Sequence, residues 1–427
     1  MSNLFDEIVL AQKRGEARGI ASICSAHPWV LKAALHGDGP VLIESTCNQV
    51  NQFGGYTGMT PADFVHFVRG IAAENALPPE RLILGGDHLG PSPWQDCPME
   101  RAMSHAAGMV QAYVRAGFTK IHLDASMRLG DDDPASPLSP ELVARRTTCL
   151  VKVAEETLAK ILEPPQGIRY VIGSEVPIPG GTTQHEHRLN VTKVEDARRM
   201  VEVMHASFLQ AGLESAWERV TAVVVQPGVE FGDNFILDYN PDVVHHLAYY
   251  SETTPFIYEA HSTDYQTREN LRNLVRDHFA ILKVGPALTY AFRQAVFALA
   301  MMESELFPAE ERSHLIESLD ESMQREPGHW KEHYRGDERE LSFARKYSLS
   351  DRARYYWPDP DVQAALTKLI VNLDRTPIPL SLISQYMPDL YPGIRTGAIA
   401  NSASQMVHHR IRSLLNDYAF ACGEGST

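Results

Sequence analysis

The residues best suited to chemistry lie in Leu82-Ile83-Leu84-Gly85-Gly86-Asp87-His88-Leu89-Gly90-Pro91. An apolar run of buried-strand character gives way to two glycines, then to a carboxylate and an imidazole side by side. Catalytic groups of α/β proteins collect at the carboxyl ends of strands. An adjacent Asp and His offer a proton-transfer group next to a metal ligand. The plainer alternative makes Asp87 the cap of a following helix and His88 a satisfied, half-buried imidazole.

The same layout recurs along the chain. His27, Glu44, Asp124, Glu175, Gln226, His261 and Lys283 each close a short apolar run, as Asp87 and His88 do. Strand ends in a barrel converge on one mouth, so residues distant in sequence become neighbours there. His88, Glu175 and His261 are then candidate ligands for a divalent cation with a position left for substrate. Such a cation acts as a Lewis acid on a carbonyl or enediolate oxygen. Asp87, Asp124 and Glu175 are the candidate catalytic carboxylates. Substrate contacts are expected from His27, Glu44, Asn48, Gln49, Ser126, Gln226, Ser262, Lys283 and Gly285. The bland readings are a structural salt bridge for Glu175 and a backbone-bonded imidazole for His261. Lys283 suits a phosphate; a Schiff base is its alternative role. The small residues after the last two runs sit where barrels hold phosphate. The glycine-rich loop 51–60 reads as a lid or as an ordinary long loop, and 177–183 as a similar candidate.

Eight apolar runs must position these groups: 19–24, 41–43, 82–84, 120–123, 170–174, 221–225, 256–258 and 279–282. Helical patterns separate them. Thr60-Pro61-Ala62-Asp63 starts a helix, and 100–116 carries apolar residues at helical spacing up to Gly117. Segments 140–162 and 194–213 are long and amphipathic. Strands alternating with helices predict a parallel sheet, and this count predicts a (β/α)8 TIM barrel over 1–290. An open doubly wound sheet is the competing fold, but no Gly-x-Gly-x-x-Gly follows the first run. Helical segments at 290–306, 310–325, 361–373 and 405–418 predict a mostly helical extension over 291–427, packed on the barrel. Within it, 347–357 is dense in aromatics and arginine.

A formal net charge of −15 argues against nucleic acid or an anionic membrane as partner. No apolar run is long enough for a membrane span, and no signal-peptide pattern is seen. Five scattered cysteines without a CxxC pair fit reduced thiols, so a cytoplasmic globular protein is expected.

Several strings are long enough to carry a resemblance: Cys24-Ser25-Ala26-His27-Pro28, the stretch 48–61, Gly85-Gly86-Asp87-His88-Leu89-Gly90-Pro91 and 120–126. So are 225–231, Tyr258-Glu259-Ala260-His261-Ser262-Thr263-Asp264-Tyr265-Gln266-Thr267 and 347–357. Over almost its whole length the chain resembles the Z subunit of class II tagatose-1,6-bisphosphate aldolase. The resemblance implies an accessory barrel that supports a smaller catalytic subunit, in an oligomer cleaving a ketose bisphosphate to glyceraldehyde 3-phosphate and dihydroxyacetone phosphate in galactitol and tagatose catabolism. Other relatives imply a stand-alone 4-epimerase acting on tagatose, fructose or their phosphates. C4 is not adjacent to the ketose carbonyl, so that reaction requires retro-aldol cleavage, rotation and rejoining. Carried over residue by residue, Asp87-His88, Glu175 and His261 match the aldolase metal set, which implies zinc, with manganese second. The sixth run departs from it, ending in Gln226 where catalytic aldolases place a histidine. The label tagatose-6-phosphate kinase, also used in the family, has no phosphate loop behind it here.

Overall fold

The structure, a computed structural model, describes residues 3–37, 39–162, 167–173 and 191–423. Glu175 and the loop 177–183, both singled out above, lie outside the described residues.

The eight apolar runs close into one parallel barrel. Its strands are β1 (Ile20–Cys24), β2 (Val41–Thr46), β3 (Leu82–Leu89), β4 (Lys120–Leu123), β5 (Arg169–Gly173), β6 (Val220–Val224), β9 (Ile257–Ala260) and β10 (Phe279–Val284). They pair in chain order, and β10 returns to β1. A short antiparallel hairpin, β7 (Glu230–Phe231) and β8 (Ile236–Leu237), stands outside the ring. The continuous apolar runs follow from burial on both faces, by neighbouring helices outside and by packed side chains inside.

Alternate residues of each strand point inward, and the interior changes character from one end to the other. Ile20, Leu42, Val171, Ala222, Ile257 and Ile281 form an apolar layer at the closed end. The helix Leu4–Lys13, unforeseen in the sequence, plugs that end with Phe5 and Ile8, 2% and 0% exposed. Each such side chain contributes about 2 kcal/mol of burial. Toward the open end the inward positions become ionisable: Glu44 on β2, Asp87 on β3, Lys120 and His122 on β4, Glu259 on β9 and Lys283 on β10.

The strand predicted at 82–84 runs on to Leu89, through the two glycines that read as its end. The pairing of β3 with β4 shifts register between Gly86 and Leu89, and His88 takes a φ of 48°. Neighbouring residues of a regular strand face opposite ways; the irregularity lets Asp87 and His88 reach the same mouth. The glycines serve close packing. A Cβ at Gly85 would stand 2.7 Å from Glu44 Oε1, and one at Gly90 would stand 1.7 Å from the Asp124 carbonyl oxygen.

Outside the ring the helices largely match the sequence patterns. The Thr60–Asp63 capping box opens Pro61–Glu74, Gly117 closes Met99–Ala116 in the left-handed region, and Pro140–Leu158 and Val194–Gln210 follow. After β10 the chain is helical, from Pro286–Leu306 to Ala403–Ala421. One apolar cluster runs through both parts, joining Val30 and Leu31 of the barrel to Phe292, Trp357, Met406 and Ile411. The aromatic and arginine-rich stretch forms a 3-10 turn, Arg352–Tyr355, over the barrel mouth.

Candidate active site

At the level where the interior turns polar, five buried charges form a chain. Lys120 Nζ lies 2.5 Å from Glu259 Oε2 and 2.6 Å from Glu44 Oε1. Lys283 Nζ continues it, 2.7 Å from Glu44 Oε2 and 2.8 Å from Asp87 Oδ2. Burial opposes charge on Lys120, Lys283, Asp87 and Glu259, and the alternation of sign along the chain offsets it. Despite that burial, the surrounding carboxylates hold Lys283 well above the usual lysine range, and Lys283, His88 and His122 hold Asp87 well below the usual carboxylate range. Lys283 also fills the space among Cys24, Glu44 and Asp87, a set whose donor atoms lie close enough for a cation.

Three imidazoles meet above this chain. His88, His122 and His261 lie with ring centroids 4.8 to 5.4 Å apart. Each is anchored through one ring nitrogen by an acceptor. His88 Nδ1 is 3.0 Å from Asp124 Oδ2, His261 Nε2 is 3.0 Å from Glu259 Oε1, and His122 Nε2 donates to the Gly173 carbonyl at 3.0 Å. Such partners fix ring orientation and tautomer in metal sites. His122 Nδ1 then faces both the His88 backbone N–H at 3.2 Å and Asp87 Oδ1 at 2.9 Å. With Nε2 donating, that nitrogen and the carboxylate oxygen offer lone pairs to each other, a contact suited to a shared proton or a cation. Donor atoms of Asp87, His88, His122 and His261 all lie within 4.8 Å of one another. The residues present therefore fit a divalent ion with mixed nitrogen and oxygen ligands.

The electrostatics distinguish the rings. Burial alone would lower His88, but Asp87 and Asp124 raise it to about 9. Burial pushes His261 down to about 3, with Glu259 opposing. Asp124 is held at about 2 against its burial by His88 and by Ser126, whose hydroxyl donates to Oδ1 at 2.6 Å.

A cleft of about 670 Å³ opens over the cluster. Of the sequence candidates, His27, Asn48, Gln49, Asp87, His88, Asp124, Ser126, His261, Ser262, Lys283 and Gly285 line it. Glu44 sits below in the ion chain and is fully buried. Gln226 is buried, its Oε1 accepting from the Gly228 amide at 2.7 Å, and is not among the described residues that line the cleft. The Gly285 amide is engaged by Asp264.

The sequence reading missed Lys120, His122, Glu259, Asp264, Tyr56 and Arg354. Two pairs carried a signal: Lys120 with His122, and Glu259 with His261, are ionisable residues two apart in otherwise apolar strands, hence on one inward face. The roof was visible only as two separate segments, the loop 51–60 as a lid candidate and the aromatic, arginine-rich 347–357, with nothing local to say that they meet. Arg354, Tyr355 and Trp357 of the extension line the cleft, and Tyr355 meets Tyr56 of the loop 51–60 edge-on at 4.9 Å.

Comparison with known proteins gives this arrangement a lineage. Residues 5–423 match the family described as D-tagatose-1,6-bisphosphate aldolase subunit GatZ/KbaZ-like. The chain belongs to that family. It is 50% identical over 420 residues to the D-tagatose-1,6-bisphosphate aldolase subunit GatZ of Salmonella paratyphi B, covering 97% of this chain and 98% of that one. The GatZ subunit of Salmonella typhimurium is as similar, at 50% over 420 residues. A crystal structure from Sinorhizobium meliloti 1021, described as a probable tagatose 6 phosphate kinase, superposes with a TM-score of 0.86 at 44% identity, covering 95% of this chain and 100% of that one. As a GatZ/KbaZ-like barrel the chain combines the eight-stranded fold with a buried, histidine-rich mouth. No helix among its described residues is long and apolar enough to cross a membrane.

Proposed function

We propose that this GatZ/KbaZ-like chain works within a tagatose-bisphosphate aldolase assembly and that its own barrel mouth binds a ketose at a divalent cation. The carrying observation is the group Asp87, His88, His122 and His261, with donor atoms within 4.8 Å and each imidazole anchored by an acceptor on its other side. Glu175, the remaining ligand expected from the resemblance, belongs to the same proposal, and zinc is the first choice of ion ahead of manganese. A bound divalent cation supplies Lewis acidity toward the ketose carbonyl oxygen.

The chain's residues supply the rest. Glu259 and Asp124 hold His261 and His88 in place. Asp124 is better placed than Asp87 to receive a substrate hydroxyl proton. Both line the cleft, but Asp124 is bonded to Ser126 and His88, whereas Asp87 is ion-paired to Lys283 and tied to His122. Asn48, Gln49, Ser126 and Ser262 offer hydrogen bonds to sugar hydroxyls. Gln226, whose Oε1 is taken by the Gly228 amide, is left a structural part.

A second reading, stand-alone 4-epimerisation by cleavage and rejoining of C3–C4, is favoured by one feature. The roof of Tyr56, Arg354, Tyr355 and Trp357 would retain two fragments between the steps. One experiment separates the readings. The purified chain is loaded with zinc or manganese and followed by NMR with fructose, tagatose and their phosphates, with and without a smaller aldolase subunit. Interconversion at C4 without the partner supports the epimerase. Aldol cleavage that rises only with the partner supports the subunit role. Neither activity, together with His88→Ala and His261→Ala variants that keep wild-type metal content, would overturn both.

A further inference from the structure

The start of the helix after β10 is where barrels commonly hold a phosphate, on backbone amides and the positive end of the helix. In this chain the position is taken. The amides of Gly285 and Ala287, which open the helix Pro286–Leu306, both donate to Asp264 Oδ1, at 3.0 and 2.8 Å. Asp264 is 3% exposed, comes from the segment after β9, and lines the same cleft as the histidine cluster. Beside it on that wall, Ser262 is 5% exposed and its hydroxyl interacts with Glu230. A second acid, Glu230, is close enough for Asp264 to act on it. Burial lifts Glu230 to about 7 and Asp264 to about 6, the two amides opposing the latter.

The cationic groups of the described cleft wall already have partners, although Arg354 also acts on Asp264. Lys283 is paired with Glu44 and Asp87. Arg354 donates to the Ser350 and Asp351 carbonyls and to the Tyr355 hydroxyl. His88 is held between Asp87 and Asp124. A phosphate dianion at the helix start would have to displace a buried carboxylate from its amides and then face Glu230, with the already hydrogen-bonded Arg354 as the cation that acts there. A sugar hydroxyl meets none of these penalties. It can donate to the carboxylate, whose Oδ2 takes neither amide, and can bond the Ser262 hydroxyl.

We propose that Asp264 is a specificity-determining residue: its carboxylate fills the backbone anion site, so this cleft takes a ketose whose end at that position is a free hydroxymethyl group and not a phosphate ester. The inference rests on the ketose reading of the cleft and sharpens it. A ketose 1,6-bisphosphate is the decisive ligand, because it carries an ester whichever way it lies.

The test is calorimetric titration of the metal-loaded wild type with fructose, tagatose and their 1,6-bisphosphates, alongside inorganic phosphate titrated into the wild type and Asp264→Gly. The free ketoses should bind at least about tenfold more tightly than the bisphosphates. Asp264→Gly, with its two amides exposed, should gain a saturable phosphate site that the wild type lacks. Bisphosphates that bind the wild type as tightly as free ketoses, or inorganic phosphate that competes with them there, would overturn the assignment. Should Asp264→Gly not fold, Asp264→Asn keeps an acceptor for the amides but removes the charge. It should narrow the preference for the free sugar, and an unchanged preference overturns the proposal. If no ketose binds at all, the ketose reading fails, while the phosphate titrations still decide whether Asp264 closes the anion site.

Discussion

Replacing Lys120 by Met removes the central cation of the buried ion chain while keeping most of the side chain's volume. Lys120 is 0% exposed and bridges Glu259 and Glu44 at 2.5 and 2.6 Å. Its loss leaves Glu44, Asp87 and Glu259 with Lys283 as the only lysine in the chain of charges. An unpaired buried charge costs about 3–5 kcal/mol. The variant has one escape, protonating Glu259, which Lys120 and its other cationic neighbours otherwise hold well below the usual range against its burial. From an unfolded glutamate pKa of about 4.3, that proton costs about 4 kcal/mol at pH 7 but only about 1 kcal/mol at pH 5. The sign follows: the folded variant binds one more proton than its unfolded chain, so its deficit grows by about 1.4 kcal/mol per pH unit above the unfolded pKa. Urea unfolding of wild type and variant between pH 5 and 8 measures the gap. Adding Glu259→Gln, which removes the surplus charge, should flatten its pH dependence and recover most of the loss. A gap that does not change with pH, or one below about 1 kcal/mol at pH 7, would refute the view that alternation of sign is what makes this interior viable.

Other expected outcomes are briefer. Gly90→Ala should fail to fold or lose more than about 3 kcal/mol in chemical unfolding, because its Cβ would stand 1.7 Å from the Asp124 carbonyl oxygen; near-wild-type stability would mean the two backbones do not approach so closely. His122→Ala should weaken zinc or manganese binding by at least about tenfold by direct titration, and unchanged affinity would remove His122 from the site. Arg354→Ala should lower turnover while leaving metal content unchanged, since Arg354 lines the cleft roof and is not among the clustered donors; unaltered kinetics would separate the roof from the reaction. The Asp264 pKa is raised to about 6 by burial, so its contribution to stability is present below the unfolded value and fades as pH rises through 6. Asp264→Asn should lack that loss, about 3 kcal/mol between pH 4 and 6, and parallel stability profiles for the two proteins would contradict it.

Much of the barrel was legible because parallel strands covered on both faces must be apolar throughout, and eight such runs stand out between helical patterns. Asp87 and His88 were legible because ionisable groups follow an apolar run. The length of β3 was not, since Gly85-Gly86 has the composition of a turn; only the packing against Glu44 shows the pair to be strand. Lys120 and His122 were passed over as strand interior, although their spacing of two marks a shared face. The helix Leu4–Lys13 gave no sign of plugging the barrel, because an amphipathic helix does not state which surface it will cover. Gly285 was legible as a phosphate site by its place after the last strand, yet Asp264 already holds its amide.

The sequence by itself determined the periodicities, hence the strands, the helices and the inward face on which each ionisable residue falls. Only the tertiary structure decided which of those residues meet. Closure of the ring brings Lys283 to 2.7 Å from Glu44, 239 positions away, and folds Arg354 of the extension over the mouth. Local chain geometry sets the direction of a side chain over a few residues. Contacts at such separations depend on barrel closure and on how neighbouring strands are offset, and neither quantity is written in any short stretch of the chain.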